Sequence, residues 1–281
     1  MKKVISLVLA ALMCTLALVS CGEAASKGVK VIDIALTDEE YAFGVDKDQP
    51  DLLTSVNEII AEIKANGKLD EINNKYFGDG TPTPVSSAAY DESKDQLVVA
   101  TNAAFEPFEY TDGEKYLGID MEIAQLIAEK LGKELVINNM DFDAVCLSVG
   151  QHKCDIAMAG LTVNEERKEY VNFSDSYYTA SQKIVVMEDN TDFDSCKTKE
   201  DVEKVLAGYD KSKTAGSQNG TTGQYYIEGS ADWDFPGLPV TAKGYKNGSM
   251  AVQDMVNGNI DFVVIDSAPA DCIAKAFNEM K

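Results

Sequence analysis

The 281-residue sequence has one histidine and one arginine, and its six cysteines form no CxxC pair. Zinc sites and thioredoxin-type redox sites draw on such residues, so the sequence argues against both kinds of site. Basic residues are also scarce, with 25 Lys+Arg against 47 Asp+Glu and a formal charge of -22. Because so acidic a chain repels phosphate backbones, we expect no nucleic-acid partner. No GxSxG, P-loop or HExxH pattern occurs, which argues against most hydrolases and kinases.

The composition otherwise fits a folded globular protein. Hydrophobic residues make up 45% of the sequence and charged residues 26%, unlike the composition of a disordered chain. A chain of this length has room for two lobes of ordinary domain size. Length and composition therefore indicate an acidic globular protein and leave its function open.

The N-terminus has the pattern of an export signal. Two lysines precede an almost unbroken apolar run over residues 4–19, which is slightly short for a membrane-spanning helix. The run ends in Leu-Val-Ser-Cys, which resembles the lipobox of bacterial lipoproteins, with cleavage before Cys21 and a lipid on its thiol. A plain secretory signal that ends near a cysteine is the alternative. We expect a signal peptide over residues 1–20 and a tether over residues 21–28, in a protein that is periplasmic or lipid-anchored to the outer face of the bacterial cell membrane.

Four cysteines remain once the signal peptide and Cys21 are set aside. Cys146, Cys154 and Cys272 lie in apolar periodic stretches, where an unpaired cysteine behaves as a small buried hydrophobic residue. We therefore predict that these three residues and Cys196 are free thiols rather than a disulfide framework.

Strand-like and helical patterns alternate along most of the chain. Residues 119–131 and 199–207 have helical periodicity, and the apolar runs 97–100 and 260–265 are typical of buried strands. Such alternation indicates an α/β architecture with mostly parallel sheets.

The segment before this series is too short to fold alone. Residues 29–77 contain two strand-like runs and a helical pattern that begins at Pro50. Residues 78–96 follow them, with two prolines and almost no apolar content, and are typical of a linker. Because so few residues rarely bury a sufficient core, the apolar faces of the front segment need a partner elsewhere in the chain.

Several long motifs resemble those of one family. Residues 97–186 contain LVVATNAAFEPFEY, LGIDMEIAQLIAEKLG, DFDAV, CDIAMAGLTVNEERKEYVNFSDSYY and QKIVV, and the chain from residue 216 contains GSQNGTTGQYY and IDFVVIDSAPA. These stretches resemble the two lobes of the polar amino-acid-binding solute receptors, family 3, of ABC importers. The resemblance implies a type II periplasmic-binding-protein fold, in which two α/β lobes are joined by two hinge crossings.

The order of the segments differs from that of the family. There, a strand, a closing helix and a KxxFG-like end follow the second lobe, whereas the matching residues, YAFGVDKDQPDLLTSVNEIIAEIKANGKLDEINNKYFG, stand here at the front. We therefore expect a circular permutant in which the linker 78–96 fuses the usual tails, since permutation is tolerated where termini are exposed and close together. The predicted divisions are lobe 1 at residues 46–182, lobe 2 at residues 29–40 and 188–281, and hinge crossings at residues 41–45 and 183–187.

The resemblance also implies which residues hold an α-amino acid. Arg167 takes the ligand carboxylate through two parallel hydrogen bonds, and Gly160 and Thr162 assist it. Thr222 contributes from a turn that opens a helix, and Asp266 holds the ammonium group after a buried strand. The alternatives are a surface arginine, a simple helix cap at the threonine turn, and an N-cap at Asp266.

Four further residues are implied around the ligand side chain. Phe105 and Phe142 match apolar walls, although aromatic residues are more often part of a core. Asn102 lies where many relatives have an aspartate that reaches the ligand side chain, and Gln218 is a fainter candidate for the same region. Because amides offer only neutral hydrogen bonds, we expect a neutral polar or sulfur-containing ligand rather than lysine or arginine, unless Glu106 turns inward.

These expectations combine into one function. We expect an extracytoplasmic lipoprotein that captures a free α-amino acid between two closing lobes and delivers it to the membrane subunits of an ABC permease. We expect a monomer with no cofactor, no metal and no catalytic residue. Two alternatives stay open: an exported enzyme on the same fold, resembling cyclohexadienyl or arogenate dehydratase, and a ligand sensor that acts through a separate receptor.

Overall fold

Two five-stranded β-sheets, each flanked by helices, form the two lobes of the molecule. The computed structural model describes residues 28–231 and 233–280. The predicted signal peptide, the predicted lipidation site Cys21 and all but the last residue of the predicted tether lie outside the described residues. None of the described helices is long and apolar enough to cross a membrane.

Short strands alternate with helices over most of the described chain. The strands are β1 (Val29–Ile32), β2 (Glu39–Tyr41), β3 (Gly44–Asp46), β4 (Gln96–Thr101), β5 (Ala104–Phe105), β6 (Glu109–Asp112), β7 (Lys115–Leu117), β8 (Glu134–Asn139), β9 (Ile156–Ala157), β10 (Val171–Phe173), β11 (Tyr178–Ala180), β12 (Gln182–Met187), β13 (Thr214–Gln218), β14 (Thr241–Tyr245) and β15 (Phe262–Asp266). The helices are α1 (Pro50–Ala65), α2 (Lys68–Phe77), α3 (Ile119–Leu131), α4 (Val145–Gly150), α5 (Glu165–Lys168), α6 (Lys199–Ala207), α7 (Thr222–Glu228), α8 (Gly248–Val256) and α9 (Ser267–Glu279), with a 3₁₀ turn at Phe142–Ala144. The predicted helices at 119–131 and 199–207 are confirmed.

The two lobes have the same sheet topology. Lobe 1 has the strand order β8-β4-β9-β3-β10 and lobe 2 has the order β14-β13-β15-β12-β1. In each sheet the first three strands are parallel, the fourth is antiparallel to the third, and the fifth is antiparallel to the fourth. This arrangement brings the carboxyl ends of the parallel strands to one edge of each sheet.

Two chain segments cross between the lobes side by side. β2 pairs antiparallel with β11, and β2 leads into β3 of lobe 1 while β11 leads into β12 of lobe 2. The predicted crossing at 41–45 begins at the last residue of β2, and the predicted crossing at 183–187 begins after the end of β11. The second predicted crossing therefore coincides with β12 of the lobe 2 sheet. The exact bounds of the predicted lobes stay a prediction.

Helices cover both faces of each sheet with apolar side chains. In lobe 1, α1, α2 and α3 share one core, while α4 packs against the other face. In lobe 2, α6 and α7 cover one face, and α8 and α9 cover the other. Cys146 and Cys154 are buried, Cys196 and Cys272 are half-buried, and all four are free, as predicted.

The segment 78–95 contains no helix or strand, as expected for a linker, but it lies against lobe 1. Val85 is 3% exposed and pairs through its backbone with Tyr116. The backbone N–H of Ile137 donates to Ser87 Oγ at 2.8 Å. One buried valine and hydrogen bonds to neighbouring elements therefore hold this polar segment against lobe 1.

The end of α9 contacts the beginning of β1. The backbone N–H of Val29 donates to Asn278 Oδ1 at 3.0 Å, and Asn278 Nδ2 donates to the carbonyl of Val29 at 2.9 Å. Two residues that are 249 positions apart in the sequence are thus joined by two hydrogen bonds.

Candidate ligand-binding site between the lobes

The candidate site lies where the parallel strands of the two sheets end, which is where open α/β sheets bind ligands. Asn102 follows β4 and Gly160 follows β9 in lobe 1, while Gln218 and Asp266 end β13 and β15 in lobe 2. A cavity at this position is lined by Phe105, Phe142, Gly160, Thr162, Arg167, Gln218, Thr221, Thr222 and Asp266. It therefore includes every predicted ligand-binding residue except Asn102, together with Thr221.

The cavity between the lobes is small. Its volume is about 10 Å³, which is room for roughly one water molecule. Side chains close it from both lobes: Gln218 Nε2 donates to Asn102 Oδ1 at 2.9 Å, and Lys246 Nζ lies 3.2 Å from Asp141 Oδ2 at the exposed rim. A solute larger than water enters only when these interlobe contacts open.

Arg167 reaches the cavity from a short helix of lobe 1. Asn164 caps this helix, because its Oδ1 accepts the backbone N–H of Arg167 at 2.7 Å. The guanidinium donates to the carbonyl of Thr162 at 2.7 Å and, across the lobe boundary, to the carbonyl of Gly220 at 2.9 Å. It lies 5.2 Å from the ring centre of Phe142. Arg167 is only 7% exposed, so it is not the surface arginine of the alternative interpretation.

Gly160 approaches the cavity with its backbone held from behind. Its φ of +53° is left-handed, and a Cβ atom there would lie 2.8 Å from Cε1 of Phe105, so both conformation and space favour glycine. Its N–H donates to Asp120 Oδ2 at 3.0 Å, and Tyr177 Oη donates to Asp120 Oδ1 at 2.5 Å. Burial raises the pKa of Asp120 to about 7. The N–H of Gly160 is therefore engaged by Asp120 rather than directed at the cavity.

The second lobe contributes the start of α7. Thr221 caps this helix by accepting the N–H of Gln224, and its own hydroxyl donates to the carbonyl of Gln218 at 2.8 Å. Thr222 is 2% exposed, lines the cavity, and its hydroxyl has no hydrogen-bond partner within the described chain. The cap and the cavity lining are thus provided by neighbouring threonines, and the hydroxyl of Thr222 stays available for a bound solute.

Asp266 faces the cavity from lobe 2, although it also stands at the N-cap position of α9. Its side chain makes no capping hydrogen bond and instead accepts from Tyr41 Oη at 2.5 Å. Burial, followed by the nearby negative charge of Glu39, raises the pKa of Asp266 to about 7. A bound cation would lower this pKa again, since it would supply the opposite charge that the site lacks.

Behind Asp266 lies a buried polar network that the sequence reasoning missed. Glu39 accepts from the hydroxyl of Thr162 at 2.7 Å and from Gln182 Nε2 at 3.0 Å. With Tyr41, these side chains connect the crossing strand β2 to both lobes. Glu39 and Tyr41 are both buried in β2, but no local pattern in the sequence marks them, and only their partners reveal their place.

The two aromatic residues and Glu106 have different surroundings. Phe105 is 8% exposed and stacks on Phe108 with ring centres 5.9 Å apart, so it belongs to the lobe 1 core as well as to the cavity. Phe142 is half-buried beneath Arg167. Glu106 is exposed and lines neighbouring clefts on the α9 side rather than the cavity. It does not supply the cavity with a second carboxylate.

Comparisons with known proteins identify a family whose model matches most of the chain. The family model of bacterial extracellular solute-binding proteins, family 3, matches residues 7–79 and 97–278. The arginine-binding extracellular protein ArtP of Bacillus subtilis (strain 168) is 36% identical over 105 residues, which are 37% of this chain and 41% of that protein. The arginine-binding periplasmic protein of Mannheimia haemolytica is 28% identical over 172 residues, which are 61% of this chain and 63% of that protein. The chain thus spans less than two thirds of the length of these relatives.

A solved structure gives the same result for the fold. The ancestral amino acid-binding protein AncCDT-1, described as a precursor of cyclohexadienyl dehydratase, superposes with a TM-score of 0.55 at 30% identity. The match covers 74% of this chain and 78% of that chain. Together with the two-lobe architecture, this likeness confirms the predicted type II periplasmic-binding-protein fold.

Proposed function

Since the chain belongs to the bacterial extracellular solute-binding proteins, family 3, we propose that it captures a free α-amino acid between its two lobes and delivers it to the permease of an ABC transporter. One observation carries this proposal. Arg167 of lobe 1 and Asp266 of lobe 2 are both almost fully buried and line the same cavity. An α-amino acid offers each of them its opposite charge.

The donors around the cavity match the carboxylate of such a ligand. A guanidinium has five N–H donors, and Arg167 uses only part of them on two carbonyl groups, so it can still form paired bonds to a carboxylate. The hydroxyl of Thr222 and the N-terminal end of α7 favour the same anion. Asp266 and the hydroxyl of Tyr41 lie on the side proposed for the ammonium group.

Closure of the lobes follows from this charge arrangement. With the lobes apart, both charges are hydrated; with the lobes together, each is withdrawn from water and needs a partner. A ligand that pairs with both residues therefore stabilises the closed form over the open one. The closed face formed by both lobes is the surface we propose for the permease.

We propose that residues 1–20 are removed and that Cys21 carries a lipid. The pattern at the N-terminus supports this, and a protein that passes its ligand to a permease gains from being held at the membrane. We also propose that the protein acts as a monomer, since each chain contributes both faces of the site.

An enzyme on the same fold is the less favoured hypothesis. The likeness to AncCDT-1 supports this alternative, because that protein is described as a precursor of cyclohexadienyl dehydratase. A dehydratase needs an acid or base close to its substrate. Glu106 is exposed and lies outside the cavity lining, and the one carboxylate in that lining, Asp266, is the group we propose for the ligand ammonium.

The ligand side chain is proposed to be neutral. Asn102 and Gln218 bond to each other at the cavity, and Asp266 is the one carboxylate among the lining residues. A lysine or arginine side chain would therefore share that carboxylate with the ammonium group or stay unpaired at a cost of several kcal/mol. Relatives named for arginine make a basic ligand the competing expectation.

The arrangement of the segments supports the proposal of a circular permutant. In lobe 1 the last strand of the sheet, β10, follows β9 along the chain, whereas in lobe 2 the equivalent strand, β1, precedes all the others. Asn278 at the end of α9 nevertheless bonds directly to Val29 at the start of β1. The family model also matches in two blocks separated by the linker.

Removing either charge partner should abolish ligand capture. We expect Arg167→Ala and Asp266→Ala each to weaken binding by about 30-fold to several thousand-fold, because truncating one member of a buried charge pair costs roughly 2–5 kcal/mol. Lys168→Ala and Asp271→Ala serve as controls, because they remove exposed charges from the helix of Arg167 and from the helix that follows Asp266. Calorimetric titration measures affinity, and circular dichroism checks folding. Near-wild-type affinity in either test variant would remove that residue from the site.

Ligand affinity should rise with pH in the neutral range. Asp266 must lose its proton to pair with an ammonium group. In the closed, ligand-free form burial raises its pKa to about 7, so ligand binding to that form below this pH releases a proton. We expect affinity to increase by up to about tenfold per pH unit from about pH 5.5 to 7 and to level off above. Calorimetry in buffers of different ionisation enthalpy measures the released proton. A binding enthalpy independent of buffer at pH 6 would contradict this role for Asp266.

The ligand preference can be changed at one position. We expect a neutral polar or sulfur-containing amino acid to bind more tightly than lysine or arginine, and Asn102→Asp to shift the preference toward the basic ligands. The physical reason is that the substitution adds a negative charge at the end of the cavity without adding volume. Competition among the twenty amino acids measures both rankings. Lysine or arginine as the tightest ligand of the unmodified protein would contradict the prediction.

The permutation can be reversed. Moving residues 28–78 to follow Lys281, with a new start near Asp95, should give a folded protein with unchanged ligand affinity, because α9 already meets β1. Deleting residues 28–78 should cause aggregation, since it removes β1 and β3 from the two sheets and exposes their cores. Normal folding and binding of the deleted chain would show that the front segment is an appendage.

A further inference from the structure

Three metal-ligating side chains meet at the edge of lobe 1 that lies opposite the cavity. Asp46 ends β3, Asp48 follows it in the turn before α1, and His152 lies in the turn after α4. One donor atom from each side chain lies within 4.8 Å of the other two. The backbone N–H of Asp46 bonds to Asp155 before β9 begins, whereas the cavity lies beyond the other end of β9, so the two places are distinct.

Hydrogen bonds already fix the relative positions of these side chains. His152 Nδ1 lies 2.8 Å from Asp46 Oδ2, and His152 Nε2 lies 3.7 Å from Asp48 Oδ2. The side chain of Asp46 is 4% exposed, and its other oxygen accepts the backbone N–H of Asp48 at 2.9 Å. The buried carboxylate therefore sets both the orientation of the imidazole and the path of the turn that carries the second carboxylate.

We propose that His152, Asp46 and Asp48 form a binding site for a divalent transition-metal ion, with Zn²⁺ as the reference ion. One imidazole nitrogen and two carboxylate oxygens suit such an ion, and the two negative charges match its charge. Zn–N and Zn–O distances are about 2.0–2.2 Å, so neighbouring ligand atoms lie roughly 3–4 Å apart, whereas one ligand atom from each of these three side chains lies within 4.8 Å of the others. The two contacts of His152 involve different ring nitrogens, so the ion would take one nitrogen, and the side chains of His152 and Asp48 would turn toward it. The side chains of His152 and Asp48 are 58% and 80% exposed, which leaves them free to make small adjustments and leaves space for water ligands.

The cluster brings together residues that are far apart in the sequence. A zinc site was not expected because only one histidine is present, but the fold places that histidine beside two aspartates that lie more than a hundred positions earlier. Both segments belong to lobe 1. Metal binding should therefore leave the amino-acid affinity of the interlobe cavity unchanged.

The test is calorimetric titration of ZnCl₂ into metal-free protein. The protein begins at Gly22, keeps every described residue, and carries Cys196→Ser and Cys272→Ser so that half-buried thiols do not compete. We expect one Zn²⁺ per chain. His152→Asn and Asp48→Asn should each weaken binding at least tenfold, since even outer partners of a metal site contribute about 10- to 100-fold to affinity. Asparagine is chosen at position 152 because it tolerates the left-handed φ of +58° there.

Asp51→Asn is the matched control, because Asp51 is an exposed acid in the neighbouring first turn of α1. Its zinc affinity should equal that of the parent protein. Absence of binding to the parent at millimolar zinc would overturn the proposal. Equal affinity of the His152→Asn and Asp48→Asn variants and the parent would also overturn it, because the ion would then bind elsewhere.

Discussion

A guanidinium and a carboxylate, each withdrawn from water, face one small cavity from opposite lobes. Neither pairs with the other: Arg167 donates to backbone carbonyls, and Asp266 accepts from a tyrosine. Burying single charges in this way is costly unless something of opposite charge arrives. The proposed function depends on this constraint, because it assigns to this one pair both the selection of a zwitterion and the coupling of its binding to closure.

The topology of the sheets explains how two lobes can present such a pair. In each sheet the parallel strands end at the edge that faces the other lobe, and the antiparallel strands β3 and β12 arrive from the crossings. The crossing strand β2 carries Glu39 and Tyr41, whose side chains bond to Thr162 of one lobe and Asp266 of the other. The hinge and the ligand site are therefore one connected polar network, so motion of the lobes acts directly on the residues proposed to hold the ligand.

Sequence reasoning predicted those parts of the molecule that depend on local patterns or long motifs. The helix 199–207 has clear periodicity and a capping box between Thr198 and Asp201, so its bounds were readable. The short strands β5, β6 and β7 were missed because two to four residues have no detectable period. The contacts of the linker with lobe 1 were missed because one buried valine in a polar segment carries no pattern.

Sequence reasoning likewise predicted some residues of the candidate site and missed others. Arg167 and Asp266 belong to motifs and could be named in advance, and the structure places both at the cavity. Asp120, Gln182 and Glu39 act through partners far away in the sequence, so no local signal marked them. Gly160 was expected to assist in holding the ligand carboxylate, but Asp120 accepts its N–H from behind. Such directional details follow from the assembled fold rather than from any single segment.

The central claim is that an α-amino acid binds between the lobes, and a thermal-shift screen of the twenty amino acids on the protein beginning at Gly22 tests it most directly. A ligand present at 100 times its dissociation constant adds about 2.7 kcal/mol to the free energy of unfolding. For a protein of this size that corresponds to a rise in Tm of roughly 5–10 °C. The account predicts such a rise for at least one amino acid. A screen in which none of the twenty raises the Tm would contradict it.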